Sequence, residues 1–186
     1  LLNLDVANDS LVSVTGGTTV IVGDIANATG SVDITLTATA NDVTGGDLTA
    51  GGGDISVDAG GNIGANDVAS TGTGAVSLTA DGAITALEVS TVEGALDVAG
   101  LGAVSLTSAT STSGNVDISG DGIAANDIAT GGDGTMSLLA TNNIAVTNDV
   151  ESVNGDLTIT AGGNVTAGDL KATGTGDVIV DVGSFV

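Results

Sequence analysis

Cysteine, histidine, proline, tryptophan and tyrosine are all missing from this chain, and each absence removes something. Without His or Cys there is no Ser/His/Asp or Cys/His nucleophilic site within the sequence. Lack of cysteine is compatible with an extracellular bacterial protein. Proline cannot donate to a β-ladder, so its absence suits a fold in which nearly every strand N–H is used. The one aromatic residue is Phe185, and the one basic residue, Lys171, stands against 23 acidic ones for a net charge of -22. Nucleic-acid binding needs Lys/Arg clusters, so that class is excluded, and attraction to anionic membranes is disfavoured for the same reason. No glycine run leads into a Gly-Lys pair, which excludes a P-loop. No apolar run is long enough to cross a bilayer as a helix, so no membrane insertion is expected. The opening LLNLDVAND lacks a basic start, a signal-peptide core and an initiator Met. It reads as the start of an internal or processed piece of a longer protein.

What is present is a repeat. Units aligned on a glycine begin at Gly53, Gly74, Gly94, Gly114, Gly134, Gly155 and Gly176. A fixed period of this size, about 20 residues, marks a solenoid or array. High net charge alone would suggest disorder, but regularly spaced Val, Ile and Leu are not needed by a disordered chain.

One unit, GDISVDAGGNIGANDVASTGT from Gly53, shows how a repeat becomes a coil. Ile55 and Val57 alternate with Asp54, Ser56 and Asp58, the period-2 pattern of a half-buried strand. Ala59, Gly60 and Gly61 turn the chain into a second short strand at Ile63 and Ala65. Asn66 and Asp67 form a second corner before a third strand at Val68. Three apolar columns follow through the neighbouring units: Val76/Leu78 to Val178/Val180, Ile84 to Val165, and Leu48 to Leu170. The expected fold is all-β: a parallel β-helix or solenoid of about 20–21 residues per coil, with three short strands per coil. Glycine at the corners is expected to supply positive φ, and Asn or Asp to tolerate the left-handed region.

The whole chain, 1–186, reads as one domain, with repeat units best defined from 46 to 186. Before Gly46 the register is weaker. SVDITLTA from Ser31 and TTVIVGD from Thr18 both read as first strands of earlier coils. Open strand edges at either end would template association, so the expected partners are a further copy stacked end to end or the continuation of a longer β-helix.

Units such as GDLTITAGGNVTAGDLKATGTG from Gly155 resemble the β-helical repeats of filamentous-haemagglutinin-like exoproteins, bacterial surface proteins exported by two-partner secretion. The resemblance covers at least Gly46 to Val186. It implies a right-handed β-helix, secretion to the bacterial cell surface, and a structural role as the shaft of an adhesin or extracellular filament. Such repeats are scaffold, so no functional residues carry over.

The one chemical pattern is an acidic column before the third strand: Asp47, Asp67, Glu88, Asp127, Asp149 and Asp169, interrupted by Ser108. Charges one rung apart, ~4.8 Å, repel by just under ~1 kcal/mol in water, and calcium, a hard cation that takes oxygen ligands, would relieve that. Asn66, Asn126 and Asn148 would add carbonyls or form an Asn ladder. The competing reading is that Asn-Asp is simply good, solvated corner chemistry. A calcium-dependent module binding carbohydrate or surface polymer is therefore the alternative function.

Asp97 and Asp117 form a stacked carboxylate pair, the one hint of glycoside hydrolysis. No aromatic platform, His or Arg accompanies them, so no enzymatic activity is expected. Outward Ser and Thr are too mixed for a regular ice-binding array. Asn8, Asn27 and Asn164 match the N-glycosylation pattern at the frequency chance provides. Lys171 sits beside Asp169 as its charge partner.

Overall fold

The computed structural model describes residues 3–6, 11–27 and 30–183, and they form a parallel β-solenoid of about eight turns. First strands of successive coils are β2 (Leu11–Gly16), β5 (Asp33–Ala38), β8 (Ile55–Ala59), β11 (Val76–Ala80), β13 (Leu96–Gly100), β15 (Val116–Gly120), β18 (Met136–Ala140), β21 (Leu157–Ala161) and β24 (Val178–Val182). They pair in that order as a nine-stranded sheet. The second strands are β3 (Val20–Ile21), β6 (Val43–Thr44), β9 (Ile63–Gly64), β16 (Ile123–Ala125), β19 (Ile144–Val146) and β22 (Val165–Thr166). The third are β1 (Leu4–Asp5), β4 (Ile25–Ala26), β7 (Leu48–Ala50), β10 (Asp67–Ser70), β17 (Asp127–Thr130), β20 (Asp149–Ser152) and β23 (Asp169–Ala172). In two coils the second and third strands run together, as β12 (Ile84–Thr91) and β14 (Val104–Ser111), and these join all the rest into a 15-stranded sheet.

The merging has a local cause. Where other coils place Asn-Asp or Gly-Asp at the second corner, these two read Leu87-Glu88 and Thr107-Ser108. Without a turn-forming pair the chain stays extended, and Leu87 and Glu88 face outward in succession. Pairing of β12 with β14 skips Leu87 and Thr107 and resumes at Glu88↔Ser108. An unpaired step with two consecutive outward side chains is how an extended strand bends without a turn.

Inside, the apolar columns stack as the repeat predicts: Val76↔Leu96↔Val116↔Met136↔Leu157 in the first sheet, and Ile84↔Val104↔Ile123↔Ile144 and Val68↔Val89↔Ala109↔Ile128↔Val150 in the second. These buried residues form one continuous core from Val12 to Ala161. A fully buried Val, Leu or Ile contributes about 1.5–3 kcal/mol, and here each is covered by its counterparts above and below. In the last described coil Val178 and Val180 are 42% and 41% exposed, because no described coil covers them.

The first coils correct the expectation for TTVIVGD. Its Val20 pairs with Val43, a second-strand position, and the first strand of that coil is β2. The steps from Val20 to Val43 and from Ile25 to Leu48 are longer than the next steps up, from Val43 to Ile63 and from Leu48 to Val68. A template cut to the later period therefore slides out of register below Val43.

The repeat-defining glycines also play a different part from the one expected. Among the described residues the glycines with positive φ are Gly30 (112°) and Gly132 (58°), neither of them in the column. At Gly74, Gly94, Gly114, Gly134, Gly155 and Gly176 a Cβ would land on the carbonyl oxygen of the column glycine one coil below. The column is glycine because two backbones approach too closely there for any side chain.

Beside it runs an inward polar column, Ser70↔Thr91↔Ser111↔Thr130↔Ser152, buried throughout. Its hydroxyls donate to glycine carbonyls: Ser70 to Gly53 at 3.1 Å, Thr91 to Gly94 at 2.7 Å, Thr130 to Gly114 at 2.7 Å. Buried hydroxyls are tolerated because each finds an acceptor. In the first coil the matching stretch carries Asn27, wholly buried, whose Nδ2 donates to the Val6 carbonyl while its Oδ1 has no partner.

Candidate functional site

The acidic column is assembled by strand register. Asp67 pairs with Glu88, Glu88 with Ser108, Ser108 with Asp127, and Asp149 with Asp169. Asp47 immediately precedes Leu48, which pairs with Val68 next to Asp67, and this places it below Asp67. All six residues named from the sequence therefore lie along one edge of the rod, with Ser108 as the gap.

The column extends further down than the sequence suggested. Asp24 precedes Ile25, which pairs with Leu48, so Asp24 lies under Asp47. Its Oδ1 accepts the Asp47 N–H at 3.1 Å, and its Oδ2 accepts from Asn3 Nδ2 at 3.1 Å. The signal was the familiar acid before an apolar third-strand residue. It was hidden by reading TTVIVGD as a first strand.

The top of the column is partly neutralised. Lys171 Nζ lies 3.2 Å from Asp149 Oδ2 and 3.2 Å from Asp169 Oδ2, bridging two rungs. Hydrogen bonds to these two carboxylates raise the Lys171 pKa above its ordinary value. In the middle, Asn148 Nδ2 donates to Asp127 Oδ2 at 3.1 Å, so this amide serves the carboxylate below it. Asn66 and Asn126 are not adjacent, because Leu87 and Thr107 occupy the intervening corners: Leu87 N–H donates to the Asn66 carbonyl and Asn126 N–H to that of Thr107. The carboxylates run in single file. Among the described residues no three acidic groups converge to enclose a metal ion, so a cation here would bridge rungs along the edge.

Corner Asp and Asn have a structural task that the sequence reading did not assign. Asp54 N–H donates to Asp33 Oδ1 at 2.9 Å and Ala75 N–H to Asp54 Oδ1 at 2.8 Å. At the next corner Asn62 N–H donates to Asp42 Oδ1, Ala83 N–H to Asn62 Oδ1 and Asn164 N–H to Asn143 Oδ1, each at 2.8 Å. Each short side chain reaches up one coil and satisfies an N–H that lies outside the strands.

Asp97 and Asp117 are direct register partners on the outer face of β13 and β15, between Ser77 and Ser137. Partial desolvation on the sheet raises the Asp117 pKa, and the neighbouring Asp97 carboxylate raises it further. Asp117 faces solvent on the outer surface of the sheet. The outer columns of this sheet begin Ser13/Thr15 and Thr35/Thr37 but pass through Asp97, Leu139 and Ile179, and stay chemically mixed. Of the glycosylation patterns, Asn8 and Thr29 lie outside the described residues. Asn27 is fully buried and closed to a glycan, and Asn164 is exposed.

No family model, no curated protein sequence and no solved structure matches this chain.

Proposed function

We propose that this chain is a structural shaft segment of a secreted bacterial surface adhesin or extracellular filament. The observation that supports it most is the unbroken run of nine parallel first strands. At about 4.8 Å per rung they make a rod about 40 Å long. Backbone hydrogen bonds directed along the rod resist bending and extension, and stacked apolar columns give each coil cohesion only through its neighbours. The acidic outer surface keeps such rods soluble and apart. Stacking onto another copy, or continuing into more coils of the same polypeptide, would use the same strand edges. Immunogold electron microscopy of intact source cells, with antibody raised against the chain, tests the reading. Gold on extracellular fibres or on the outer surface is expected, and label confined to the cell interior would refute it.

The alternative, a calcium-dependent module recognising carbohydrate or surface polymer, is favoured by one observation: carboxylates in register along one edge. Cation dependence of stability separates the two, because a pure shaft has no need of a divalent ion.

A further inference from the structure

A furrow of about 440 Å3 runs along the rod across four coils. One wall is the outward column Thr85↔Ser105↔Ala124↔Ala145, exposed and small at every rung. The opposite wall includes the exposed Leu87, Thr107 and Asn126 at the second corner. The furrow follows the second corner, where side chains on either side of the bend face a common trough in the two coils of β12 and β14 and in the two coils above them. Immediately beyond the second wall stand Glu88 and Asp127, with the neutral Ser108 between them. Asp149, the next acid up, is already held by Lys171.

We propose that this furrow binds a linear, cationic polysaccharide, a β-1,4-linked chain of amino sugars with free amines, lying parallel to the rod axis. Three features select this occupant. The trough offers hydroxyls, one amide and the apolar surface of Leu87 and the alanines but no charge, which suits a sugar ring with its hydroxyl edge and its apolar C–H face. It repeats once per coil, at about 4.8 Å, close to the advance of one sugar in an extended β-1,4 chain. An extended peptide advances about 3.3 Å per residue and falls out of step with the coils. A β-1,4 chain with a two-fold screw turns every second sugar the same way, so alternate amines face one wall. Glu88 and Asp127 occupy alternate rungs of that wall. Ammonium groups there form charge-assisted hydrogen bonds with the carboxylates. The inference goes beyond the shaft reading and does not depend on it.

Isothermal titration calorimetry tests it, with a fully de-N-acetylated β-1,4 glucosamine hexamer in mildly acidic, low-salt buffer. Because the whole rod is acidic, the controls must separate the furrow from bulk attraction. The hexamer is expected to bind at least tenfold more tightly than its fully N-acetylated counterpart and than hexalysine. The double variant Glu88→Gln with Asp127→Asn should weaken it at least tenfold. Asp97→Asn with Asp117→Asn, the same charge change on the other sheet, should leave binding unchanged. Ala124→Leu, which fills the trough without altering charge, should also weaken it. All of these positions face outward, and circular dichroism confirms that each variant keeps its fold. Equal weakening by both charge variants, equal binding of hexalysine or of the acetylated hexamer, or no binding at all would overturn the proposal.

Discussion

The coils from Gly53 to Gly155 and the coils below Gly53 build the same third corner in different ways. In the upper coils a buried Ser or Thr donates to a glycine carbonyl, and the glycine lets the next coil settle directly on top. In the first coil the corner carries Asn27 with an unpartnered oxygen, then Gly30 with a φ of 112°, then buried Val32 in place of the column glycine. A Cβ on Gly53 would strike the Val32 carbonyl. One glycine per contact is therefore enough for close stacking, provided it lies in the upper coil. In the first sheet the step stays at 20 or 21 residues from Ile55 upward, where the compact corner recurs, and the step from Val12 to Ile34 below it is 22.

The sharpest way to break that comparison is Gly114→Ala. Its methyl would collide with the Gly94 carbonyl, and backbone cannot step aside as a side-chain tip can. A loss of about 3 kcal/mol is expected in urea unfolding. Val32→Ala, at the matching column position below, should cost clearly less, because it removes methyls without creating a collision. Equal losses would mean that the glycine column has no special role in stacking.

A smaller contrast lies in the buried polar column. Thr130→Val keeps the shape but removes the donor to the Gly114 carbonyl, with an expected loss of about 1 kcal/mol. Asn27→Ala removes a buried oxygen that has no partner, a gain that offsets the loss of the Nδ2 donor to the Val6 carbonyl. It should cost less than Thr130→Val although more atoms are deleted. Thermal melts of the two variants decide this, and a larger loss at Asn27 would show that its amide anchors the first coil.

Next comes pH. The Asp117 pKa is raised in the folded chain, by desolvation and then by Asp97. A raised carboxyl pKa means that the ionised form is disfavoured in the native state. The stability associated with this group is therefore missing at neutral pH. It returns as pH falls through the raised native value and is complete below the ordinary aspartate value of about 3.9. Wild type should melt at a higher temperature near pH 4 than at pH 7. Asp117→Asn should raise the melting point at pH 7 and shrink the difference. The pair is solvent-facing, so a few tenths of a kcal/mol is the expected size. A melting point that falls on acidification in this range would contradict the assignment.

The smallest expected effect concerns the acidic edge. Millimolar calcium should raise the melting temperature above a control of matched ionic strength if the carboxylates below Lys171 bridge a cation. Glu88→Gln with Asp67→Asn should abolish that difference. No difference in the wild type would leave the column as solvated corner chemistry.

The strand columns were legible in the sequence because inward positions alternate with polar ones and recur once per coil. Ile55, Val76, Leu96 and Val116 carry their own register. The six acids of the column were legible for the same reason, since each precedes a third-strand apolar residue. Asp24 was missed because its coil departs from the regular step. The roles of the corner residues were not legible. Glycine signals positive φ and close approach with the same letter, and only the position of the backbone one coil below distinguishes them.

The sequence by itself determined that the chain coils and, from Gly53 upward, which apolar side chains face inward and about how long each turn is, because these follow from periodicity alone. Only the tertiary structure decided which corner hydroxyls are buried, where Asp and Asn reach across to the next coil, and that the second corners of four stacked coils line a furrow. Those features arise between residues a full coil apart in the chain, and their chemistry is set by distances that exist only once one coil lies on another.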